Sequence, residues 1–165
     1  MADSQLHTAA DLIQLAVTRG LTFGTAESLT GGAVAAAIVE VPGASACFEG
    51  GVVSYSHEVK EKTLGISHEL LERQGAVDPE IARSMARGAR TALGVDWAVS
   101  TTGVAGPEPH DGQEVGTVFL GVSGPNGDDH LELHLSGGRD EIRRESVSRA
   151  VDLLASHIRL TDNFQ

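Results

Sequence analysis

Cysteine, lysine, aromatic residues and long apolar runs are all scarce in this sequence. Its 165 residues include one cysteine, Cys47, which excludes an internal disulfide framework and a cysteine-rich zinc site. No run of about 18 apolar residues occurs, so no membrane-spanning helix is expected. The first residues lack a positively charged segment followed by an apolar one, so no secretory signal is expected. These absences predict a cytoplasmic protein that forms one domain over residues 1–165.

Positive charge is also scarce. Twelve lysine and arginine residues stand against 23 acidic residues, which gives a formal net charge of −11. Binding of duplex nucleic acid depends on clustered cations, so this balance argues against a nucleic-acid partner. Lys60 and Lys62 are the only lysines in the chain. Each of them therefore merits separate inspection.

Several common signatures of cofactor and catalytic sites are absent. The chain has no P-loop, no G-x-G-x-x-G fingerprint and no G-x-S-x-G nucleophile elbow. His130 and His134 are four residues apart, but alternating leucines place both on the polar face of a strand. We therefore expect no metal ion and no cofactor.

Helical and strand patterns alternate along the chain. Helices are predicted at 4–19, at 33–41 as a buried helix, at 79–93 with Asp78 as its cap, and from Arg139 onward, with short helical turns at 57–75. Strands are predicted at 21–28, 48–56, 97–101, 115–123 and 130–136, with a hairpin at Asn126-Gly127. This order predicts an α/β fold whose partly parallel sheet carries helices on both faces and an antiparallel hairpin at one side.

The segment from Thr25 to Gly32 has the composition of a strand end that leads into an apolar helix. Its Ser28 would lie near the helix N-terminus, where unbonded backbone N–H groups favour developing negative charge. Both a catalytic serine and a simple helix cap explain this spacing. The spacing alone favours the cap.

Tyr55 lies at the end of the second predicted strand, and Lys60 lies five residues further on. A lysine beside Glu58 and Glu61 is ordinarily a solvated surface residue. The alternative is a serine–lysine dyad in which Lys60 accepts the hydroxyl proton of Ser28. Because the ordinary pKa of lysine is ~10.4, a base that is neutral at pH 7 needs its pKa lowered by ~3 units, through burial or a nearby cation.

A third segment, Thr101 to Pro107, ends a strand in hydroxyl residues and glycines. Open α/β sheets bind ligands at this kind of edge. A plain tight turn explains the pattern equally well.

Together these segments resemble the CinA C-terminal domain family. The similar segments are TAESLTGG, GGVVSYSHEVKEKTLGI, GAV, STTGVAGP with VGTVFLGV, and SGGRDEIRRESVSRAVDLL, in the family's order from about residue 5 to residue 160. The resemblance implies a three-layer α/β/α sandwich and a homodimer. Since stand-alone members include nicotinamide mononucleotide (NMN) amidases, it also implies hydrolysis of the NMN carboxamide to nicotinic acid mononucleotide and ammonia, in pyridine nucleotide recycling.

The resemblance also implies roles for individual residues. Ser28 matches the family's nucleophile, Lys60 the lysine that activates it, and Tyr55 a tyrosine that orients the lysine or the substrate. The residues that match substrate-binding positions are Thr30, Gly31, Gly32, Thr102, Gly103 and Arg139. The first three belong to a loop that would donate to an oxyanion, the next two to a substrate-lining turn, and the last suits the substrate phosphate.

The chain departs from the family pattern at two places. Leu29 stands where many members have cysteine, and the loop from Glu108 to Glu114 lacks the usual glycine pair and the basic residue before Val-Gly-Thr. The altered loop leaves two other functions open. One is a catalytically weak nucleotide-binding module that acts through partners, and the other is an amidase for a different pyridinium or nucleotide amide.

Overall fold

Five strands and the helices around them make up the fold in the computed structural model, which describes residues 5–161. The helices are α1 (Ala9–Arg19), α2 (Ala33–Val39), α3 (His57–Leu64), α4 (His68–Gln74), α5 (Pro79–Leu93) and α6 (Arg139–Leu160). The strands are β1 (Phe23–Glu27), β2 (Phe48–Val53), β3 (Trp97–Gly103), β4 (Thr117–Gly124) and β5 (Gly127–His134). Residues 1–4 and 162–165 of the predicted domain, including the predicted start of the first helix at residue 4, lie outside the described residues.

The strands form one mixed sheet in the order β2-β1-β3-β4-β5. β1, the second strand in this order, pairs in parallel with β2 and β3, whereas β3–β4 and β4–β5 are antiparallel. The predicted partly parallel sheet with a hairpin at one side is confirmed. Because Glu27 of β1 is in register with Val53 of β2 and Thr101 of β3, the carboxyl ends of the three parallel strands meet at one edge.

Helices cover both faces of the sheet, which confirms the three-layer α/β/α sandwich. On one face α1, α2 and α6 enclose a core that includes Leu12, Ile38, Leu154 and the strand residue Phe23. On the other face α3, α4 and α5 pack on a second core around Met85. No helix within residues 5–161 combines the length and the apolar character needed to cross a bilayer.

Local sequence determines where α5 begins and ends. The Asp78 carboxylate accepts hydrogen bonds from the N–H groups of Glu80 and Ile81, and Pro79 occupies the first helical position. Gly94 ends the helix in the left-handed conformation, with a φ of 63°. The predicted helix 79–93 and its cap are confirmed.

Two helix predictions are wrong in part. The first helix begins at Ala9, because Thr8 caps it in a reciprocal arrangement with Asp11. The segment 33–41 forms a shorter helix, 33–39, which is not buried throughout. Its Val34 and Ile38 are buried, but Val39 is 60% exposed because the helix lies on the outer layer.

The strand ends also differ from the predictions. β2 stops at Val53, three residues early, because the chain turns there toward Ser56, which caps α3. The hairpin turn consists of Pro125 and Asn126, since Gly124 pairs directly with Gly127. As a result β5 begins at Gly127 rather than at residue 130 and ends at 134.

α3 approaches α5 closely at Gly88. A Cβ atom at this position would lie 2.2 Å from the carbonyl oxygen of Leu64. The contact needs glycine for space, since Gly88 is in an ordinary helical conformation. It fixes the height of α3, which carries Lys60, above the sheet.

We expect Gly88→Ala to lower the free energy of unfolding by about 1–3 kcal/mol, because the methyl group would push α3 off α5. Alanine stabilises a helix by ~1 kcal/mol relative to glycine, so the variant would gain stability if the contact between Gly88 and Leu64 left room for a methyl group. Urea denaturation measures the difference. Thr91→Ala, on the exposed side of the same helix, is the matched control. Equal or greater stability of Gly88→Ala would contradict the packing described here.

Candidate active site

A cavity of about 320 Å³ opens at the carboxyl edge of the parallel strands. Its walls come from the ends of β1 and β3, the start of α3, the 76–77 segment, the loop after β3 and the start of α6. The predicted site residues that line it are Ser28, Tyr55, Thr102, Gly103 and Arg139. The structure therefore brings these five positions, which are distant in sequence, to one place.

Ser28 is the first residue after β1 and is only 9% exposed. Its N–H donates to the carbonyl of Thr101 on β3 at 2.9 Å, which extends the sheet pairing by one residue. Its own carbonyl accepts from Gly31 N–H at 3.1 Å, so the chain turns sharply behind it. Gly31 permits this turn, since its φ of 58° lies in the left-handed region.

Lys60 is completely buried, although it lies on a helix rich in charged residues. Its Nζ lies 3.0 Å from the hydroxyl oxygen of Ser28, 2.6 Å from the carbonyl oxygen of Ser54 and 3.1 Å from that of Tyr55. Burial lowers the pKa of Lys60 to about 8, against a smaller opposing effect of the Asp111 carboxylate. The predicted contact between Ser28 and Lys60 is thus present in the structure.

The three neighbours of Nζ suit both protonation states of the amine. An ammonium group has three N–H donors, and two carbonyls and one hydroxyl can accept them all. A neutral amine has two N–H donors and one lone pair. The carbonyls of Ser54 and Tyr55 then take the donors, and the lone pair faces the Ser28 hydroxyl. The arrangement can therefore receive the proton of Ser28 without rearranging.

Tyr55 and Thr102 contribute in ways that the sequence did not specify. Tyr55 holds Lys60 through its backbone carbonyl, while its side chain is 64% exposed at the mouth of the cavity. The Thr102 hydroxyl donates to the carbonyl of Ala76 at 2.7 Å, which ties β3 to the segment before α5. Both residues therefore shape the cavity as well as line it.

The loop Thr30, Gly31 and Gly32 follows Ser28 closely in the chain and is not part of the cavity wall. Thr30 is fully buried, and its hydroxyl contacts Glu27 at 2.6 Å and the Thr101 hydroxyl at 2.7 Å. Any role of these three residues toward an oxyanion would have to come from backbone groups.

Glu27, which the sequence analysis missed, occupies the N-terminus of α2. Its buried carboxylate accepts from Val34 N–H at 2.7 Å, from Ala35 N–H at 3.1 Å and from the Thr30 hydroxyl. The expectation that unbonded N–H groups of this helix face Ser28 is therefore wrong, because Glu27 already binds them. The sequence did contain a signal for Glu27, because it is the one charged residue in the strand Phe23–Glu27.

The altered loop between Glu108 and Glu114 is held against the cavity by Asp111. The Asp111 carboxylate accepts from Ala76 N–H at 2.8 Å and lies 3.4 Å from Nε2 of His57. Burial raises the pKa of Asp111, but the Ala76 N–H and the imidazoles of His110 and His57 outweigh this and keep the pKa below its ordinary value. Asp111 and His57 were also missed, since only the fold brings them together.

Arg139 is the first residue of α6 and lines the cavity. One guanidinium nitrogen donates to the carbonyl of Gly106 at 2.6 Å. The remaining donors are available to a ligand, because Arg139 is exposed and lines the cavity. Within residues 5–161 no group of three or more histidine, cysteine or acidic side chains could hold a metal ion.

The fold and the site define a class of protein: a three-layer α/β domain with a buried serine–lysine pair at the carboxyl edge of its parallel strands. Comparison with known families agrees. The model of the CinA C-terminal domain matches residues 5–158. The chain belongs to the CinA C-terminal domain family.

Curated relatives and solved structures are similar over most of the chain. A CinA-like protein of Frankia casuarinae is 45% identical over 143 residues, which are 87% of this chain. A CinA superfamily structure from Klebsiella pneumoniae has a TM-score of 0.88 and 29% identity, covering 92% of this chain and 95% of its own. The competence/damage inducible protein from Agrobacterium tumefaciens has a TM-score of 0.83 and 35% identity. The match covers 93% of this chain and 98% of the Agrobacterium chain.

The curated relatives are longer proteins. The matched region is 33% of the Frankia protein and 36% of a putative competence-damage inducible protein of Caldanaerobacter subterraneus, which is 44% identical. The chain thus spans about a third of the length of these relatives.

We expect Glu27→Gln to lower the free energy of unfolding by about 1–3 kcal/mol. The amide keeps the shape of the side chain, but its NH2 group would face N–H donors of α2, and a buried donor would lose its acceptor. Thermal or urea unfolding measures the change. Glu49→Gln, on the exposed side of β2, is the control and should change little. If both variants are equally stable, Glu27 does not hold the start of α2.

Proposed function

We propose that this chain hydrolyses the carboxamide of NMN to nicotinic acid mononucleotide and ammonia, with Ser28 as nucleophile and Lys60 as its base. The observation that carries the proposal is the 3.0 Å contact between Lys60 Nζ and Ser28 Oγ, with both groups buried at the cavity. The names of the relatives refer to competence damage and state no reaction. The assignment therefore rests on the chemistry of the site and on the family resemblance of its motifs.

The proposed reaction has two stages, acylation of Ser28 with loss of ammonia and hydrolysis of the acyl-enzyme. Ser28 Oγ attacks the carboxamide carbon while its proton passes to Lys60, and a C–O bond forms. The C–N bond then breaks, and Lys60 returns a proton to the leaving nitrogen, which departs as ammonia. Water next attacks the acyl-enzyme, again losing a proton to Lys60, and releases the acid and the free Ser28 hydroxyl. A carboxamide is a poor electrophile, so both the base and a stabilised oxyanion are needed.

The cavity suits a small charged nucleotide. Arg139 lines it with guanidinium donors that can bind a phosphate as a bidentate partner. Ser28 lines the same cavity, so a nucleotide whose phosphate is bound by Arg139 would present its pyridinium carboxamide to Ser28. The positive pyridinium ring would then lie near Lys60 and lower its pKa further by like-charge repulsion. Substrate binding would thereby favour the neutral form of its own base.

The direct test is ammonia release from NMN by the purified chain in the presence of EDTA. We expect release in the wild type and its loss in Ser28→Ala and Lys60→Met. Lys62→Met is the matched control, because Lys62 is exposed and pairs with Glu58 on the same helix. Tight NMN binding without ammonia release would contradict the amidase and favour the nucleotide-binding module. Release that survives Ser28→Ala would contradict the mechanism.

The pH dependence of kcat/KM tests the role of the Lys60 amine. Lys60 must be neutral to accept a proton, so kcat/KM should rise about tenfold per pH unit and level off above about pH 8. The Asp111 carboxylate stabilises the ammonium form. Asp111→Asn should therefore lower the pKa of Lys60 and move the midpoint of the profile to lower pH.

The exposed acid Glu114 in the same loop supplies the control for this profile. Glu114→Gln should leave the midpoint where it is in the wild type, since its carboxylate is not among the groups that shift Lys60. A midpoint that moves to higher pH in Asp111→Asn, or does not move, would contradict the electrostatic account.

A further inference from the structure

Asp111 brings a negative charge to the cavity wall without lining the cavity itself. Its carboxylate accepts from Ala76 N–H at 2.8 Å, and it lies 3.4 Å from Nε2 of His57 and 3.6 Å from Nε2 of His110. All three of these neighbours line the cavity. The carboxylate is therefore in contact with the cavity wall, although the proposed reaction gives it no step.

The backbone is shaped to hold Asp111 at this place. Its φ of 47° lies in the left-handed region, which aspartate, asparagine and glycine adopt more readily than other residues. Gly75 leaves room for the side chain, because a Cβ atom at Gly75 would lie 3.0 Å from the Cβ atom of Asp111. Two separate segments are thus adapted to the position of this carboxylate.

No fixed positive charge balances Asp111. Within residues 5–161 no lysine or arginine forms an ion pair with it, and its two imidazole neighbours lie farther away than the ~2.7–2.9 Å of a charge-assisted hydrogen bond. Although burial raises the pKa of Asp111, the Ala76 N–H and the imidazoles of His110 and His57 keep this pKa below its ordinary value. Asp111 is therefore an ionised acid beside the cavity at neutral and alkaline pH.

The charge of Asp111 acts on the end of the cavity that holds Ser28 and Lys60. His57, which Asp111 contacts, lies one turn before Lys60 on the same side of α3. Burial lowers the pKa of Lys60 to about 8, and the Asp111 carboxylate opposes this shift. By itself this opposition disfavours the neutral base that the reaction needs. A substrate that is stabilised by the same negative charge would offset the disadvantage.

We propose that Asp111 is a specificity-determining residue whose carboxylate makes the cavity bind an amide on a cationic ring more tightly than the same amide on a neutral ring. This inference rests on the proposed function, in which Arg139 binds the phosphate and Ser28 receives the carboxamide. The pyridinium ring bears both the carboxamide and the positive charge, so this charge lies at the end of the cavity on which Asp111 acts. Opposite charges attract more strongly in a partly buried site than in bulk water.

Two mononucleotides that differ in the charge of the ring test the inference. NMN has a cationic pyridinium ring, and its reduced form has a neutral dihydropyridine ring with the same carboxamide, ribose and phosphate. Binding of each is measured by calorimetry at pH 9 in Ser28→Ala, which cannot form the acyl-enzyme. Because the pKa of Lys60 is about 8, its amine is mostly neutral at this pH and contributes little to the difference.

Asp111→Asn in the Ser28→Ala background removes the charge and keeps the shape of the side chain. Its amide oxygen can still accept from Ala76 N–H, and asparagine tolerates the left-handed φ of this position. We expect this variant to bind NMN about fivefold more weakly, the upper range for a partly exposed ion pair, and to bind reduced NMN unchanged. Glu114→Gln, which removes an exposed acid of the same loop, is the matched control and should change neither affinity.

Equal weakening of both nucleotides by Asp111→Asn would overturn the inference, because it would indicate a distorted cavity wall rather than a lost charge. Unchanged NMN binding in this variant, or equal affinity of Ser28→Ala for the two nucleotides, would overturn it as well. Ammonia release by the wild type tests the proposed function separately. Release from NMN without a charge preference contradicts only this inference. A charge preference that depends on Asp111, without release, upholds this inference and contradicts only the amidase.

Discussion

An amine that is shut off from water needs protein acceptors for its N–H groups, and the arrangement around Lys60 meets this need. β2 stops at Val53, and the two carbonyls that follow turn inward to Nζ. The third neighbour is the hydroxyl of Ser28, which the end of β1 presents from the adjacent strand. Burial disfavours the charged amine, so the same enclosure that requires these acceptors also makes Lys60 a usable base.

The turn from Leu29 to Gly32, which follows Ser28, is held in place by two charged side chains. The Glu27 carboxylate binds N–H groups at the start of α2, and the Arg143 guanidinium binds carbonyls at the loop itself. The carboxylate thus binds backbone N–H groups that follow the turn after Ser28, and the guanidinium binds backbone carbonyls within it. The turn is contacted by residues of α2 and α6, so the cavity edge of the sheet also depends on helix residues that do not line the cavity.

Most of the fold could be predicted from sequence, because apolar periodicity and helix caps are local properties. Asp78 and Gly94 mark α5 through their own side chains and backbone preferences. The hairpin was misplaced by one residue because Pro125-Asn126 and Asn126-Gly127 are both good turns, and strand pairing decides between them. The exposure of Val39 was missed because composition does not show which layer a short helix joins.

Spacing predicted the site best where its residues follow strand ends, whereas the role of Arg139 came from the family resemblance. Ser28 and Thr102 each lie at the carboxyl end of a parallel strand, and such ends meet at one edge. Glu27, Asp111 and Arg143 act through contacts with the backbone of other segments, and Arg143 is 114 residues away from Leu29. No local pattern distinguishes Asp111 and Arg143 from ordinary surface charges, whereas the place of Glu27 in a predicted strand was a local signal. Their roles become visible only when the distances between segments are known.

The pKa of Lys60 is the most direct test of this account. Because the chain has only two lysines, ¹⁵N labelling of lysine gives two side-chain signals, and Lys62→Arg identifies them. The account predicts that the Lys60 amine titrates near pH 8, well below the ordinary lysine pKa of ~10.4. If the Lys60 amine titrates near the ordinary value, Lys60 is not a buried base, and the serine–lysine site does not exist.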